Sequence, residues 1–159
     1  MSTRTDFTDE EWTRIRRAPF VAGMAISLAD LGGPIEMTKE TMATLKAATN
    51  PPSREQLLAE VALDIQAMSQ QKQNPLKDFK ISKDSSPGQQ VLSELAAVAG
   101  LVSAKADAQE SAAFNQWLLA TAQAAAEAAK DGGFMGFGAK QVSEGEQAML
   151  DQVKATLGI

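Results

Sequence analysis

Between Ala120 and Ala129, seven of ten residues are alanine, and no other residue in the stretch interrupts a helix. Alanine is the strongest helix former, and its thin side chain lets helices pack closely. A strand needs β-branched and aromatic residues in alternation, and the chain offers no such run. Aromatics make up only 5% of its 159 residues, while 44% are hydrophobic. That is enough apolar material for a core of ordinary size. The expectation is an all-α multihelical bundle of about six helices.

Helix start signals divide the chain. Thr8 with Glu11 forms a capping box, in which each side chain accepts the other's backbone N–H. It opens a helix through Trp12, Ile15, Phe20, Met24 and Leu28. Pro19 falls inside and predicts a kink or split, because it removes one donor. Gly32, Gly33 and Pro34 end that helix, and a second covers Met37–Ala48, with Met42 and Leu45 expected to face inward. Ser53 with Gln56 predicts another capping box, opening a helix to about Gln71. Residues 73–87 are polar and read as a linker, in which Phe79–Ile81 covers part of the core. Lys77, Lys80 and Lys83, with Asp78 and Asp84, read as its solvated charges. Further helices are expected from Ser86–Pro87 to Lys105, from Asp107 to Lys130, and from Ser143 to Leu157. Trp12 and Trp117 fall at apolar positions and read as core or rim anchors.

Self-comparison suggests a duplication. Val21-Ala22-Gly23 recurs as Val98-Ala99-Gly100, and Ala29-Asp30 as Ala106-Asp107, both at a spacing of 77 residues. Chance alignment of alanine-rich helices is one reading. The other is a pseudo-twofold repeat with halves at about 8–72 and 86–157 in one domain of residues 1–159. Gly23 and Gly100 would then let two helices approach closely, since a helical glycine otherwise costs about 1 kcal/mol against alanine.

The chemistry that is missing narrows the function. The chain has no His, no Cys and no Tyr. Thiolate and Ser-His-Asp catalysis are excluded, and zinc loses its usual ligands. Any metal would be a hard cation held by oxygen. The net charge of −5 speaks against nucleic acid as a partner. Arg14, Arg16 and Arg17 beside Asp9, Glu10 and Glu11 read as a solvated helix face. Glu10, Glu11 and Asp9 could form an acid-base pair, but the helix dipole accounts for acids at that N-terminus. Residues 1–8 lack the apolar core of a signal peptide, and no apolar run is long enough to span a membrane. A cytoplasmic location is the expectation.

The segment Leu95–Asp107, followed by Glu110, carries a helix, an Ala-Asp pair, a short connection, an acidic residue and a second helix. In this it resembles the TerB-like, tellurite-resistance-associated helical domains, which are multihelical and duplicated. The stretch Ala126–Gly138 and Val142–Glu146 also resembles an uncharacterised bacterial helical family. The TerB-like resemblance implies an acidic, divalent-metal-binding stress protein. Asp30, Glu36, Asp107 and Glu110, with Glu40, could supply oxygens to calcium or manganese. The alternative is that Asp107 caps a helix and Asp30 closes a turn.

Gly132–Gly138 holds Phe134, Met135 and Phe137 among glycines. It lacks the Gly-Lys-Ser/Thr ending of a phosphate loop. Two readings stand: a C-cap whose apolar side chains plug the core, or a surface that docks a protein partner or a second copy. Together these features point to a non-enzymatic binding or scaffolding protein of bacterial cytoplasm with no cofactor. An enzyme using carboxylates alone ranks last.

Overall fold

The computed structural model describes residues 1–30, 34–130 and 142–159. Among these residues there are six α-helices and no strand, so the chain is an all-helical bundle. The helices are α1 (Asp9–Ala29), α2 (Pro34–Ala48), α3 (Gln56–Gln70), α4 (Pro87–Lys105), α5 (Ala108–Lys130) and α6 (Glu144–Leu157).

The start signals act through their side chains. The Thr8 hydroxyl accepts the Glu11 N–H at 3.1 Å, and the Glu11 carboxylate accepts the Thr8 N–H at 2.8 Å. Ser143 and Glu146 repeat this at α6, with both bonds at 3.2 Å. Pro34 and Pro87 each stand at a first helical position, where a missing N–H costs nothing. One predicted capping box does not form. α3 begins at Gln56, not at a Ser53 box: the Ser53 hydroxyl instead accepts the Glu55 N–H at 3.3 Å, in the turn before the helix. The split offered as one reading at Pro19 does not occur: α1 runs as one helix from Asp9 to Ala29. Pro19 forfeits one backbone bond, and burial of Trp12, Ile15, Ala18, Val21, Ala25 and Ile26 along the same helix offsets that loss.

α1 is the axis of the bundle and packs against α2, α3, α4, α5 and α6. The core is built on Trp117, Phe114, Ile15, Ile26, Leu57, Leu58, Ile65 and Leu95, and alanines such as Ala18, Ala22 and Ala122 fill the close contacts. Both tryptophans are buried. The Trp117 Nε1–H donates to the Ala47 carbonyl at 2.9 Å, and the Trp12 Nε1–H donates to Asp64 at 2.9 Å. Leu76, Phe79 and Ile81 pack on this core, so the segment between α3 and α4 covers it as expected.

The expected repeat is not confirmed. A shift of 77 residues lays α1 over α4 and α2 within α5, and α1 packs on α4 as α2 packs on α5. The glycines do not match. Gly23 is pressed against Thr44 of α2, whereas Gly100 is exposed with no atom near the place of a side chain. The close-approach reason given for both glycines holds for Gly23 alone.

Candidate functional site

The four carboxylates singled out in the sequence fall at opposite ends of α1. That helix is 21 residues long, roughly 30 Å. At its N-terminal end, Lys105 binds Glu11 at 2.6 Å and brings Asp107 and Glu110 close by. Asp107 caps α5, accepting the Glu110 N–H at 2.8 Å. That bond holds its carboxyl below the ordinary range. The Glu110 side chain is wholly buried, and its two oxygens accept the Ser2 N–H and the Ser2 hydroxyl, each at 2.8 Å. These two acids therefore hold the segment before α1 against the start of α5.

Asp30 and Glu36 lie at the other end. Asp30 is the C-cap of α1, and Glu36 sits in the first turn of α2. Glu40, the fifth acid of the sequence reading, is buried here too, and the structure adds a buried Glu146. Glu40 accepts a hydrogen bond from the Ser27 hydroxyl. Burial raises its carboxyl above the ordinary range, and the charges of Glu36 and Asp30 raise it further. Glu146 is raised for the same reasons: burial first, then the charges of Asp30, Glu40 and Glu36. Asp30, Glu36, Glu40 and Glu146 thus share one electrostatic neighbourhood, which excludes Asp107 and Glu110. Among the described residues, no group of three or more acids has the spacing to hold a metal ion. Phe134, Met135 and Phe137 lie outside the described residues.

The arginines of α1 correct a sequence reading. They are not a solvated face. Arg14 grips Glu94 of α4 through Nε and Nη2 at 3.1 and 2.9 Å, and Arg17 reaches the same carboxylate at 3.2 Å with its side chain only 11% exposed. Arg16 binds Asp64 of α3 at 3.0 Å. The Arg17 guanidinium also lies over the Phe79 ring, 5.1 Å from its centre. The arginines pair across to α3 and α4 because the helix face they occupy is covered there. Their nearest acids in sequence are not their main partners.

Two surface features escaped the sequence reading. The first is the outer face of α2. Ile35 and Met42 are 73% and 68% exposed, one heptad apart, with Thr38 between them and Leu45 at the edge. The second is an apolar cleft of about 350 Å³ beside that face. Phe20, Leu45, Ile65, Met68 and Leu76 line it, with Thr41, Ser69 and Lys72 among the polar residues around them. Met42, expected to face inward with Leu45, instead faces outward, because the hydrophobic pattern does not tell an outward stripe from an inward one when a helix has both. The cleft joins α1, α2, α3 and the segment after α3, so no local pattern encodes it. The chain matches no known protein family, no curated protein and no solved structure.

Proposed function

We propose that this is a non-enzymatic helical binding protein, and that it contacts another protein or a second copy of itself through the outer face of α2. The observation that carries this reading is the exposure of Ile35 and Met42 on one stripe of a helix whose other side is packed on α5. Of the five large hydrophobic residues exposed among the described residues, three (Ile35, Met37 and Met42) are on α2. Water-facing apolar side chains scattered singly need no explanation, but clustered on one element they suit a partner. The chemistry agrees, since imidazole and thiol are absent from the whole chain.

The double variant I35S/M42S tests the reading. Both side chains are exposed, so the fold should change in stability by no more than about 0.5 kcal/mol. Size-exclusion chromatography with light scattering would be run on the tagged protein, pure and in extract of the cells that make it. The wild type is expected in a particle larger than one chain, and the variant in a smaller one. Identical elution of the two proteins overturns the reading.

A further inference from the structure

The apolar cleft carries a separate inference that goes beyond a protein-binding role for α2. Its floor is made of two residues that the bundle itself holds in place: Phe20 of α1 and Ile65 of α3 are both buried. Leu45, Met68 and Leu76 form half-buried walls. The volume falls within the range of small-molecule sites, at its lower end. Lys72 is the one ionisable residue in the lining. It has no ion-pair partner among the described residues, and the chain as a whole is acidic.

The backbone at Lys72 is the second observation. α3 ends in a Schellman closure: the Lys72 N–H donates to the Ser69 carbonyl and the Gln73 N–H to the Met68 carbonyl, both at 3.0 Å. That closure puts residue 72 in the left-handed region, at φ 55°, where glycine is the usual occupant. Lysine is strained there, and it is the only described residue other than glycine with positive φ. Strain kept at the edge of a cleft is typical of a site where the side chain has a use.

We propose that the cleft binds a small amphiphilic anion, an aliphatic chain ending in a carboxylate. The alkyl chain lies against Phe20, Ile65 and Met68, and the carboxylate pairs with the Lys72 ammonium. A neutral or cationic amphiphile of the same length gains the apolar contact without the charge pairing.

Octanoate, octan-1-ol and octylammonium, each below its micelle concentration, are the probes. Binding is read from the methyl NMR signals of Ile65 and Met68. Octanoate is expected to bind about fivefold more tightly than octan-1-ol, the advantage of one exposed ion pair. K72Q should remove that advantage and leave octan-1-ol unchanged. T41W, which fills the cleft from an exposed position, should weaken both ligands. K72G separates function from structure. Relief of the left-handed strain should raise the melting temperature of the free protein by about 2–4 °C, while octanoate affinity falls. Equal binding of the three probes, octanoate binding unaffected by K72Q, or insensitivity to T41W would each overturn the proposal. The K72Q and K72G results do not bear on the outer face of α2, because Lys72 follows α3 and neither Ile35 nor Met42 lines the cleft.

Discussion

Gly23 of α1 and Thr44 of α2 meet with no room for a side chain between them. A Cβ added at position 23 would come within 2.6 Å of the Thr44 Cγ2 and 3.1 Å of its Cβ. Thr44 is itself buried, and a β-branched side chain in a helix has little freedom to turn away. Gly23→Ala should therefore destabilise the protein by about 1–2 kcal/mol, the strain of overpacking exceeding the gain in helix propensity. T44A in the same chain should recover most of that loss, which a double-mutant cycle measures. Gly100→Ala meets no atom and should instead stabilise by about 0.5–1 kcal/mol. Effects of equal sign at the two glycines would restore the packing equivalence that the expected repeat requires.

The acidic end of the bundle predicts a stability that falls as pH rises. Glu40 has its carboxyl raised by burial and by the charges of Glu36 and Asp30. An acid whose carboxyl is raised on folding binds its proton more tightly in the folded state. The stability it contributes is then complete below the ordinary value of 4.5 and is lost as pH climbs through the raised one. Glu40→Gln keeps the shape and removes the charge. It should melt higher than the wild type at pH 7 and equal to it below pH 4.5, in thermal unfolding followed by circular dichroism. A variant less stable at pH 7 would mean that the ionised carboxylate is the favoured form.

Glu94 predicts the opposite slope. Burial alone would raise its carboxyl, but hydrogen bonds from Arg14 and Arg17, with their charges, outweigh that and hold it below the ordinary range. Its contribution is present above the ordinary value and is lost as pH falls through the lowered one. Glu94→Gln leaves Arg17 nearly buried without its counter-charge. It should cost about 2–3 kcal/mol at pH 7 by urea unfolding, less than a fully buried pair because Arg14 is a third exposed. The cost should shrink in acid, where the wild type also loses the charge. A cost below about 0.5 kcal/mol at pH 7 would show that the pair is no more than surface pairing.

How far the sequence led depends on how local each signal was. The Thr8–Glu11 and Ser143–Glu146 boxes span four residues each, and both form as read. The ends of α4 at Pro87 and Lys105 were legible for the same reason. The split read at Pro19 does not occur because its local cost is set against the burial of an entire helix, which no neighbouring residue records. Arg14 and Arg17 misled because their partner, Glu94, lies some 80 residues away in sequence, while acids only a few residues off offered a simpler pairing. Asp30 and Asp107 looked equivalent by spacing. The end of α4 lies beside the start of α1, where Lys105 binds Glu11, so Asp107 sits opposite to Asp30, which spacing does not encode. Lys72 carried no sequence signal, because a lysine after a helix is ordinary unless the backbone is seen to turn left-handed there.

The most direct test of the binding role places a photoreactive amino acid at position 42, on the outer stripe of α2, and as a control at position 63. Leu63 is exposed to a similar degree, but on α3. After irradiation in the cells that make the protein, position 42 is expected to give discrete adducts of defined mass, and position 63 none. The same adducts from both positions, or none from position 42, would contradict the account.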